Sequence, residues 1–400
     1  MRRNANELSG VQRRNGIIEL FCGAGGFTWG WERSGFSILA AIDNDAPSLR
    51  THELNVHVDG GVLLNRDISK FGPKDLAARV GRRPRGLLAI VGGPPCQGWS
   101  KVGRGKIRSL HIAATSLLKD PRNQLYRRFL KYVDYFRPPL CVMENVPGML
   151  SIEKQNIADL IVRNFSVIGY ECSYELIDAA WFGVPQNRKR LIFVGRRRDF
   201  SADLDVANIE EFACRFRRRV LGVKYATTVR QAIGDLPPIK NGGDEDPRPY
   251  VRSRGRVSGY VALMRADSNG TLTDHVARTY NDQDVRAFRT MREGMKYRDL
   301  APEFKRYRDD VFPDKYKRLY WSRPAWTVTA HLGKDCYTHI HPSQPRTISI
   351  REAARLQGFP DDFRFFGNIG DRFRQIGNAV PPLMGWGIAE FIKSRVRRST

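Results

Sequence analysis

The sequence lacks the clustered cysteines of a metal or redox site. Its six cysteines are scattered, and no Cys-x-x-Cys pair occurs, so neither a zinc ribbon nor a thioredoxin-like site is expected. Scattered cysteines in a chain of 400 residues are typical of a reducing compartment, and we expect a cytoplasmic protein. The His-x-His pair of His339 and His341 is too small a set for a metal centre, so we expect no bound metal.

Long apolar runs are also missing. No stretch of about 18 apolar residues occurs, so no membrane span is expected. The first residues carry no apolar core behind their arginines, so we expect no signal peptide. Acidic residues are few, since 42 Asp and Glu stand against 67 Lys and Arg, for a net charge of +25. Such an excess predicts a polyanionic partner, and nucleic acid is the commonest one.

Apolar runs that suggest strands alternate with helical patterns through the first half of the chain. The strands are predicted at residues 17–21, 38–43, 87–91, 140–144, 172–177 and 191–195. The clearest helix is predicted to begin at Asp120 and Pro121, and a last helix carries Met384 and Ile388 on one apolar face. This alternation predicts an α/β fold with a doubly wound, mostly parallel sheet.

The periodic pattern weakens after about residue 196, and residues 240–256 are rich in Gly, Pro, Asp and Arg. We therefore predict two domains. The larger comprises residues 1–199 and 366–400, and the smaller, irregular one comprises residues 200–365.

A rigid turn with a cysteine at its tip follows the predicted strand at residues 87–91. It has the sequence GGPPCQGWS at residues 92–100, at a strand end where ligands gather in α/β sheets. Cys96 is therefore a candidate nucleophile. Lys101 and Arg104 follow in a glycine-rich segment that predicts a mobile loop closing over a phosphate backbone, with a merely solvated loop as the alternative.

A glycine-rich turn, CGAGG at residues 22–26, follows the first predicted strand. It is not a P-loop, and Thr28 stands where a dinucleotide-binding fingerprint needs its third glycine. An adenosine ligand without a pyrophosphate fits better. Asp43 ends the next strand at a spacing that suits ribose hydroxyls, and Asp67 and Ile68 could hold an adenine edge. A purely structural turn is the alternative.

Two further strands carry polar side chains at their ends. Glu144 closes an apolar strand, where a buried carboxyl can act as a proton donor; a helix cap or salt bridge is the alternative. Gln186, Arg188 and Arg190 are two residues apart, so on a strand they share a face and could bind a carbonyl oxygen or a phosphate. An exposed basic strand edge is the alternative reading of that segment.

Taken together, these motifs resemble the cytosine-C5 DNA methyltransferase family and occur in its order. The matching segments are residues 21–26, 94–97, 144–146, 186–190, 351–360 and 375–382. They are similar to the family's S-adenosylmethionine loop, nucleophile motif, proton-donor motif, Gln-x-Arg-x-Arg motif and last two motif blocks. The departures are small: Asp43 stands for a usual glutamate and Trp99 for a usual phenylalanine.

The resemblance implies a methyltransferase fold and a set of binding residues. The implied S-adenosylmethionine contacts are Phe21, Gly23, Gly25, Gly26, Asp43, Asp67, Ile68, Pro95, Asn378 and Val380. The implied DNA contacts are Gln97, Ser100, Lys101, Arg104 and Gln186. Residues 200–365 would be the target-recognition domain, with Trp321, Trp326 and Thr329 as candidate groove contacts.

The resemblance also implies a mechanism. The target cytosine is flipped out of duplex DNA, since its C6 is unreachable inside the stack. Cys96 attacks C6, Glu144 holds and protonates N3, and Arg190 with Arg188 binds the O2 side and a nearby phosphate. C5 then takes the methyl group, and loss of the C5 proton and of Cys96 releases 5-methylcytosine. No metal is needed.

The implied partner is double-stranded DNA. We expect a monomer that protects bacterial host DNA in a restriction-modification system, with a restriction endonuclease acting on the same site without a stable complex. An RNA cytosine-5 methyltransferase is the alternative. A DNA-binding relative without enzymatic activity is disfavoured, because it would not require Cys96, Glu144 and Arg190.

Overall fold

The structure is a computed structural model that describes residues 15–58, 60–95, 124–150, 156–243, 246–250, 257–308 and 315–396. Its centre is a seven-stranded sheet in the order β3-β2-β1-β4-β5-β7-β6. The strands are β1 (Gly16–Leu20), β2 (Ser37–Asp43), β3 (Val62–Asn65), β4 (Leu87–Gly92), β5 (Leu140–Asn145), β6 (Tyr170–Asp178) and β7 (Lys189–Arg197). Strand β7 runs antiparallel to β5 and β6, and the other neighbours are parallel.

The predicted α/β fold with a mostly parallel sheet is confirmed. Each of the six predicted strands lies within two residues of its predicted bounds. Strand β3 was not predicted, because its four residues make too short an apolar run to stand out from a loop.

Helices cover both faces of the sheet. In the first half they are α1 (Gly26–Arg33), α2 (Ala46–Asn55), α3 (Pro73–Val80), α4 (Leu125–Phe136) and α5 (Ile157–Val167). Helix α4 buries Phe129, Tyr132, Val133 and Phe136 at helical spacing. Its predicted start at residues 120–121 lies outside the described residues.

The regular elements of the second half are mostly helices in its described part. Its helices are α6 (Ile209–Leu221), α7 (Val229–Ile233), α8 (Gly259–Met264), α9 (Asp282–Thr290), α10 (Ile350–Gln357), α11 (Ile369–Asn378) and α12 (Pro382–Val396). Two short strands, β8 (Arg248–Pro249) and β9 (Thr271–Leu272), pair antiparallel. None of the helices within the described ranges combines the length and apolar character that a bilayer crossing requires.

The predicted last helix is present as α12, and it packs on α1. The approach is so close that a Cβ added to Gly30 would lie 2.2 Å from the backbone nitrogen of Trp386. Met384 and Ile388 are fully buried. The C-terminal helix thus packs against the N-terminal part of the chain.

One hydrophobic cluster crosses the predicted domain boundary at residue 200. It contains Ile17 and Val91 of the sheet together with Phe216 of α6 and Ile350 of α10. A separate cluster surrounds Phe288 of α9. Since the main core is continuous across residue 200, the division into two domains stays a prediction.

Candidate active site

The sheet order places the topological switch point, where a ligand crevice is expected, between β1 and β4. The chain leaves β1 toward β2 on one side, whereas β4 continues toward β5 on the other. Ligands bind at the carboxyl ends of strands at such a topological switch point. The segments that follow these two strands, residues 21–26 and 93–95, therefore border one site.

The loop after β1 has an unusual backbone. Phe21, Gly23 and Gly25 all have positive φ angles, of 61°, 52° and 89°. A non-glycine residue in this region costs about 1–2 kcal/mol, and such strain concentrates at functional sites. A Cβ on Gly26 would lie 2.6 Å from the carbonyl oxygen of Val380, so the loop packs directly on the segment after α11.

Asp43 ties this loop to the end of β2. Its Oδ2 accepts a hydrogen bond from the backbone nitrogen of Gly23 at 2.8 Å, and its Oδ1 accepts one from that of Asp45 at 2.9 Å. Burial raises the pKa of Asp43 above its usual value, and these backbone hydrogen bonds act in the opposite direction. Each carboxylate oxygen keeps a second lone pair, so the side chain can still accept from a ribose hydroxyl.

The other predicted cofactor residues in the described part lie around the same edge of the sheet. The backbone nitrogen of Arg66 donates to the carbonyl oxygen of Asp43 at 2.8 Å, which brings Asp67 and Ile68 beside it. Asn378 is exposed at the end of α11. Their contacts with a cofactor remain predictions.

Glu144 and Arg190 meet at the neighbouring strand ends. Arg190 Nε lies 2.7 Å from Glu144 Oε1, and the two side chains are only 13% and 12% exposed. Strands β5 and β7 are adjacent and antiparallel, so the end of one meets the beginning of the other. The pair is shielded from water, which strengthens a charge-assisted hydrogen bond.

The turn after β4 is held against Glu144. A Cβ on Gly93 would lie 3.0 Å from Glu144 Oε2, so glycine leaves room for the carboxyl. Asn145 Nδ2 donates to the carbonyl oxygen of Pro94 at 3.2 Å. The chain leading to Cys96 is thereby fixed beside the Glu144–Arg190 pair. Five predicted residues lie outside the described residues: Cys96, Gln97, Ser100, Lys101 and Arg104.

Gln186 requires a correction, because it was predicted to contact DNA. Its side chain is fully buried. Its Nε2 donates to the carbonyl oxygen of Leu356 at 2.7 Å and also to the side chain of Gln357, while its Oε1 accepts from the backbone nitrogen of Val328 at 2.9 Å. Gln186 therefore joins distant segments and presents no group to a substrate.

Arg188 requires the same correction, because it was predicted to bind cytosine O2 or a phosphate. Arg188 is 2% exposed. Its guanidinium donates to the carbonyl oxygens of Val328, Gly377 and Ala379 at 2.7, 3.2 and 3.0 Å. Burial lowers the pKa of Arg188 well below its usual value. Of the three side chains predicted to converge, Arg190 alone contacts Glu144.

Two contacts in this region were missed from the sequence. The first is the contact of Asn145 with Pro94. The position of Asn145 directly after Glu144 at the strand end was the sequence feature that could have indicated it. Thr327 Oγ1 donates to the carbonyl oxygen of Asn187 at 2.7 Å, and the backbone nitrogen of Asn187 donates to Ala325 at 2.8 Å. A segment about 140 residues away thus lies beside the residues that lead into β7, and no local pattern signals it.

Comparison with known proteins gives a consistent result. A model of the family described as C-5 cytosine-specific DNA methylase matches residues 16–394. The chain is 33% identical to Type II methyltransferase M.AgeI of Thalassovita gelatinovora, covering 94% of this chain and 98% of that protein. It is 32% identical to Type II methyltransferase M.DdeI of Desulfomicrobium norvegicum, covering 94% and 88% of the two chains.

A solved structure from E. coli, described as a putative DNA modification methyltransferase encoded within a prophage, has the same fold. It superposes with a TM-score of 0.71 at 24% identity and covers 96% of this chain and 99% of its own. The predicted methyltransferase fold is confirmed. So is the prediction of a DNA methyltransferase rather than an RNA enzyme. Such enzymes take their methyl group from S-adenosylmethionine. The sequence match and the strand order of the sheet lead to the same conclusion: the chain belongs to the C-5 cytosine-specific DNA methylases.

Proposed function

We propose that this chain methylates a flipped-out cytosine of duplex DNA at C5 through a covalent bond between Cys96 and C6. The observation that carries the proposal is the Glu144–Arg190 pair at 2.7 Å beside Gly93 and Pro94. It puts a carboxyl and a guanidinium next to the turn that leads to the candidate nucleophile. In the proposed reaction these three groups act on N3, O2 and C6 of one cytosine ring.

Glu144 binds N3 of the cytosine and transfers a proton to it, which draws electron density from C6. The thiolate of Cys96 then forms a bond to C6, and C5 becomes nucleophilic. Arg190 supports this step, because Nε holds Glu144 and Nη1 donates to the carbonyl oxygen of Lys189 at 2.7 Å, which leaves the remaining guanidinium N–H groups to donate to O2. After C5 has taken the methyl group, with S-adenosylhomocysteine as the leaving group, the C5 proton passes to water, the bond from C6 to sulfur breaks to restore the thiolate, and the N3 proton returns to Glu144. We propose that no metal takes part, because a thiolate adds to a protonated pyrimidine without a Lewis acid.

S-adenosylmethionine supplies an electrophilic methyl group when it is bound. The loop after β1 fits it, because among the described residues no atom other than those of its chain neighbours lies within 4 Å of where a Cβ of Gly23 would be, which leaves open space beside the backbone. The Asp43 carboxylate has lone pairs left for ribose hydroxyls. We assign the binding to a set of residues around that edge: Phe21, Gly23, Gly25, Gly26, Asp43, Asp67, Ile68, Pro95, Asn378 and Val380.

The net charge of +25 supports duplex DNA as the partner. We propose that Gln97, Ser100, Lys101 and Arg104 contact the DNA near the flipped base and that residues 200–365 read the sequence. Two curated relatives are type II methyltransferases. By analogy, we propose a monomeric cytoplasmic enzyme, associated with the nucleoid through DNA, that protects host DNA from an endonuclease of the same specificity.

The test is transfer of labelled methyl groups from S-adenosylmethionine to duplex DNA and to tRNA by the purified chain. We expect transfer to DNA alone. Cys96→Ser should abolish it, while Cys214→Ser, which changes a free cysteine on α6, should leave it at the wild-type rate. Transfer to tRNA but not to DNA would contradict the proposal. Bisulfite sequencing of DNA from expressing cells then identifies the recognition sequence.

A further inference from the structure

Helix α2 and residues 364–378 are joined by three sets of side-chain contacts, here called the α2–α11 seam. At one end, the Asn55 amide pairs with the backbone of Arg364, through distances of 2.8 and 2.7 Å. In the middle, Thr51 Oγ1 donates to Gln375 Oε1 at 2.7 Å and accepts from the backbone nitrogen of Phe366 at 2.8 Å. The seam therefore holds two segments that are some 320 residues apart in the sequence.

The third set of contacts is an ion pair at the end nearest the candidate cofactor site. Arg374 Nη1 donates to Asp45 Oδ1 at 2.8 Å. Asp45 also caps α2, and its backbone nitrogen donates to Asp43. Arg374 lies one helical turn before Asn378 on α11. The ion pair thus connects the element that carries Asp43 to the element that ends at Asn378.

This ion pair differs from the rest of the seam in its exposure. Thr51 and Gln375 are buried, whereas the side chains of Arg374 and Asp45 are 38% and 28% exposed. Partial burial acts to raise the pKa of Asp45, but hydrogen bonds from Ser48 and Arg374 outweigh it and hold the pKa below its usual value. The carboxylate is therefore charged at neutral pH. Because the pair is partly in water, its strength is modest and responds to salt.

We propose that Asp45 and Arg374 are positioning residues for S-adenosylmethionine. Their ion pair holds the end of α11, with Asn378 and Val380, at a set separation from Asp43, so that both sides of the crevice fit the ligand before it arrives. Preorganisation of this kind raises affinity by removing the cost of ordering the site. The inference rests on the proposed function, because it takes S-adenosylmethionine as the ligand of this crevice.

The experiment is a double-mutant cycle on cofactor affinity, with Arg374→Gln, Asp45→Asn and the double variant. Asparagine caps a helix as well as aspartate does, so Asp45→Asn removes the charge and keeps the cap. We expect each single variant to bind S-adenosylmethionine about three- to fivefold more weakly in calorimetry without DNA. The double variant should bind S-adenosylmethionine with the same affinity as the single variant that binds it less tightly. Arg50→Gln, which changes an exposed ion pair on α2 outside the seam, is the matched control.

Further measurements separate positioning from general loss of structure. The effect should fall on KM for S-adenosylmethionine rather than on kcat. It should shrink as salt is added, and Arg374→Lys should recover part of the affinity. Wild-type affinity in both single variants, or additive losses in the double variant, would overturn the inference. If the wild-type chain binds S-adenosylmethionine but transfers no methyl group to DNA, the proposed function is contradicted. The double-mutant cycle on affinity then still tests whether Asp45 and Arg374 position the ligand. A chain that binds none overturns both.

Discussion

At the scale of single residues, Arg190 is the side chain on which the candidate active site depends most in its described part. Arg190→Ala would leave the Glu144 carboxyl shielded and without its cation. We expect methyl transfer to DNA to fall about 100-fold, as on removal of one donor from a catalytic site. Arg190→Lys should recover little, because an ammonium lacks the planar fork of donors.

The matched control for Arg190 is Lys189→Ala, which changes the exposed neighbour on the same strand. It should transfer methyl groups at the wild-type rate. A folded Arg190→Ala variant with wild-type activity would remove Arg190 from the mechanism.

A second single-residue feature is a buried carboxyl beneath the β1 loop. Glu19 is 1% exposed and accepts a hydrogen bond from Thr28, whose Oγ1 lies 2.9 Å from His52 Nε2. Burial raises the pKa of Glu19 to about 8 and lowers that of His52 to about 4. Both groups are therefore held in their neutral forms near pH 7.

The pKa of Glu19 predicts a pH dependence of stability. In the unfolded chain its pKa returns to the usual value near 4.5, so the unfolded state loses its proton first. The stabilisation present below pH 4.5 is lost as the pH rises through about 8. Glu19→Gln keeps a hydrogen-bonding group without the charge. Its free energy of unfolding should therefore rise relative to that of the wild type between pH 5 and 9.

Urea unfolding at pH 5, 7 and 9 measures this difference between Glu19→Gln and the wild type. Glu53→Gln, which changes an exposed carboxyl, is the control and should show no such trend. A difference that does not vary with pH would show that Glu19 does not titrate in this range.

At the scale of elements, α1 and α12 touch through glycine. In the interior of an exposed helix, a change from glycine to alanine stabilises the protein by about 1 kcal/mol through helix propensity. In Gly30→Ala the added Cβ would lie 2.2 Å from the backbone nitrogen of Trp386, so backbone must move, at a cost of about 1–3 kcal/mol or more. The clash outweighs the propensity, and we expect a lower urea midpoint.

Gly72→Ala is the matched control for Gly30, because among the described residues its added Cβ would come within 4 Å of Asp75 Oδ2 alone, at an ordinary contact distance of 3.5 Å. It should change the midpoint little. An unchanged or higher midpoint in Gly30→Ala would mean that the two helices separate freely and do not form a fixed contact.

At the scale of the whole molecule, buried arginines of α10 tie the second half of the chain together. Arg355 is fully buried and donates to both carboxylate oxygens of Asp361, at 2.8 and 2.6 Å, as well as to Asp235. Asp235 lies just beyond α7, about 120 residues away. These contacts join parts of the chain that no single element connects.

Arg355→Met would leave the fully buried carboxylate of Asp361 without its cation, while Asp235 keeps its ion pair with Arg265. We expect a loss of about 3–5 kcal/mol in the free energy of unfolding, because removing one partner of a buried pair strands the other charge. Arg215→Met, which breaks an exposed ion pair with Glu211, should cost less than about 1 kcal/mol. Equal losses in the two variants would contradict a structural role for the buried network.

Much of the fold could be predicted because local patterns of apolar residues indicate its strands and helices. Apolar runs end at Asp43, Gly92 and Glu144, and each is a strand whose carboxyl end borders the site. The antiparallel direction of β7 could not be predicted, because a buried strand has the same apolar run in either direction.

The sequence by itself determined the family, the sheet and the order of the chemical groups along the chain, because short-range periodicity and motif spacing are local properties. The tertiary structure alone decided what each polar side chain contacts. Gln186 and Arg188 were predicted to share a face of a strand, yet both are buried ahead of β7, and residues 328, 356, 377 and 379 accept hydrogen bonds from them. Burial depends on segments far apart in sequence, and so does the meeting of Asp45 with Arg374.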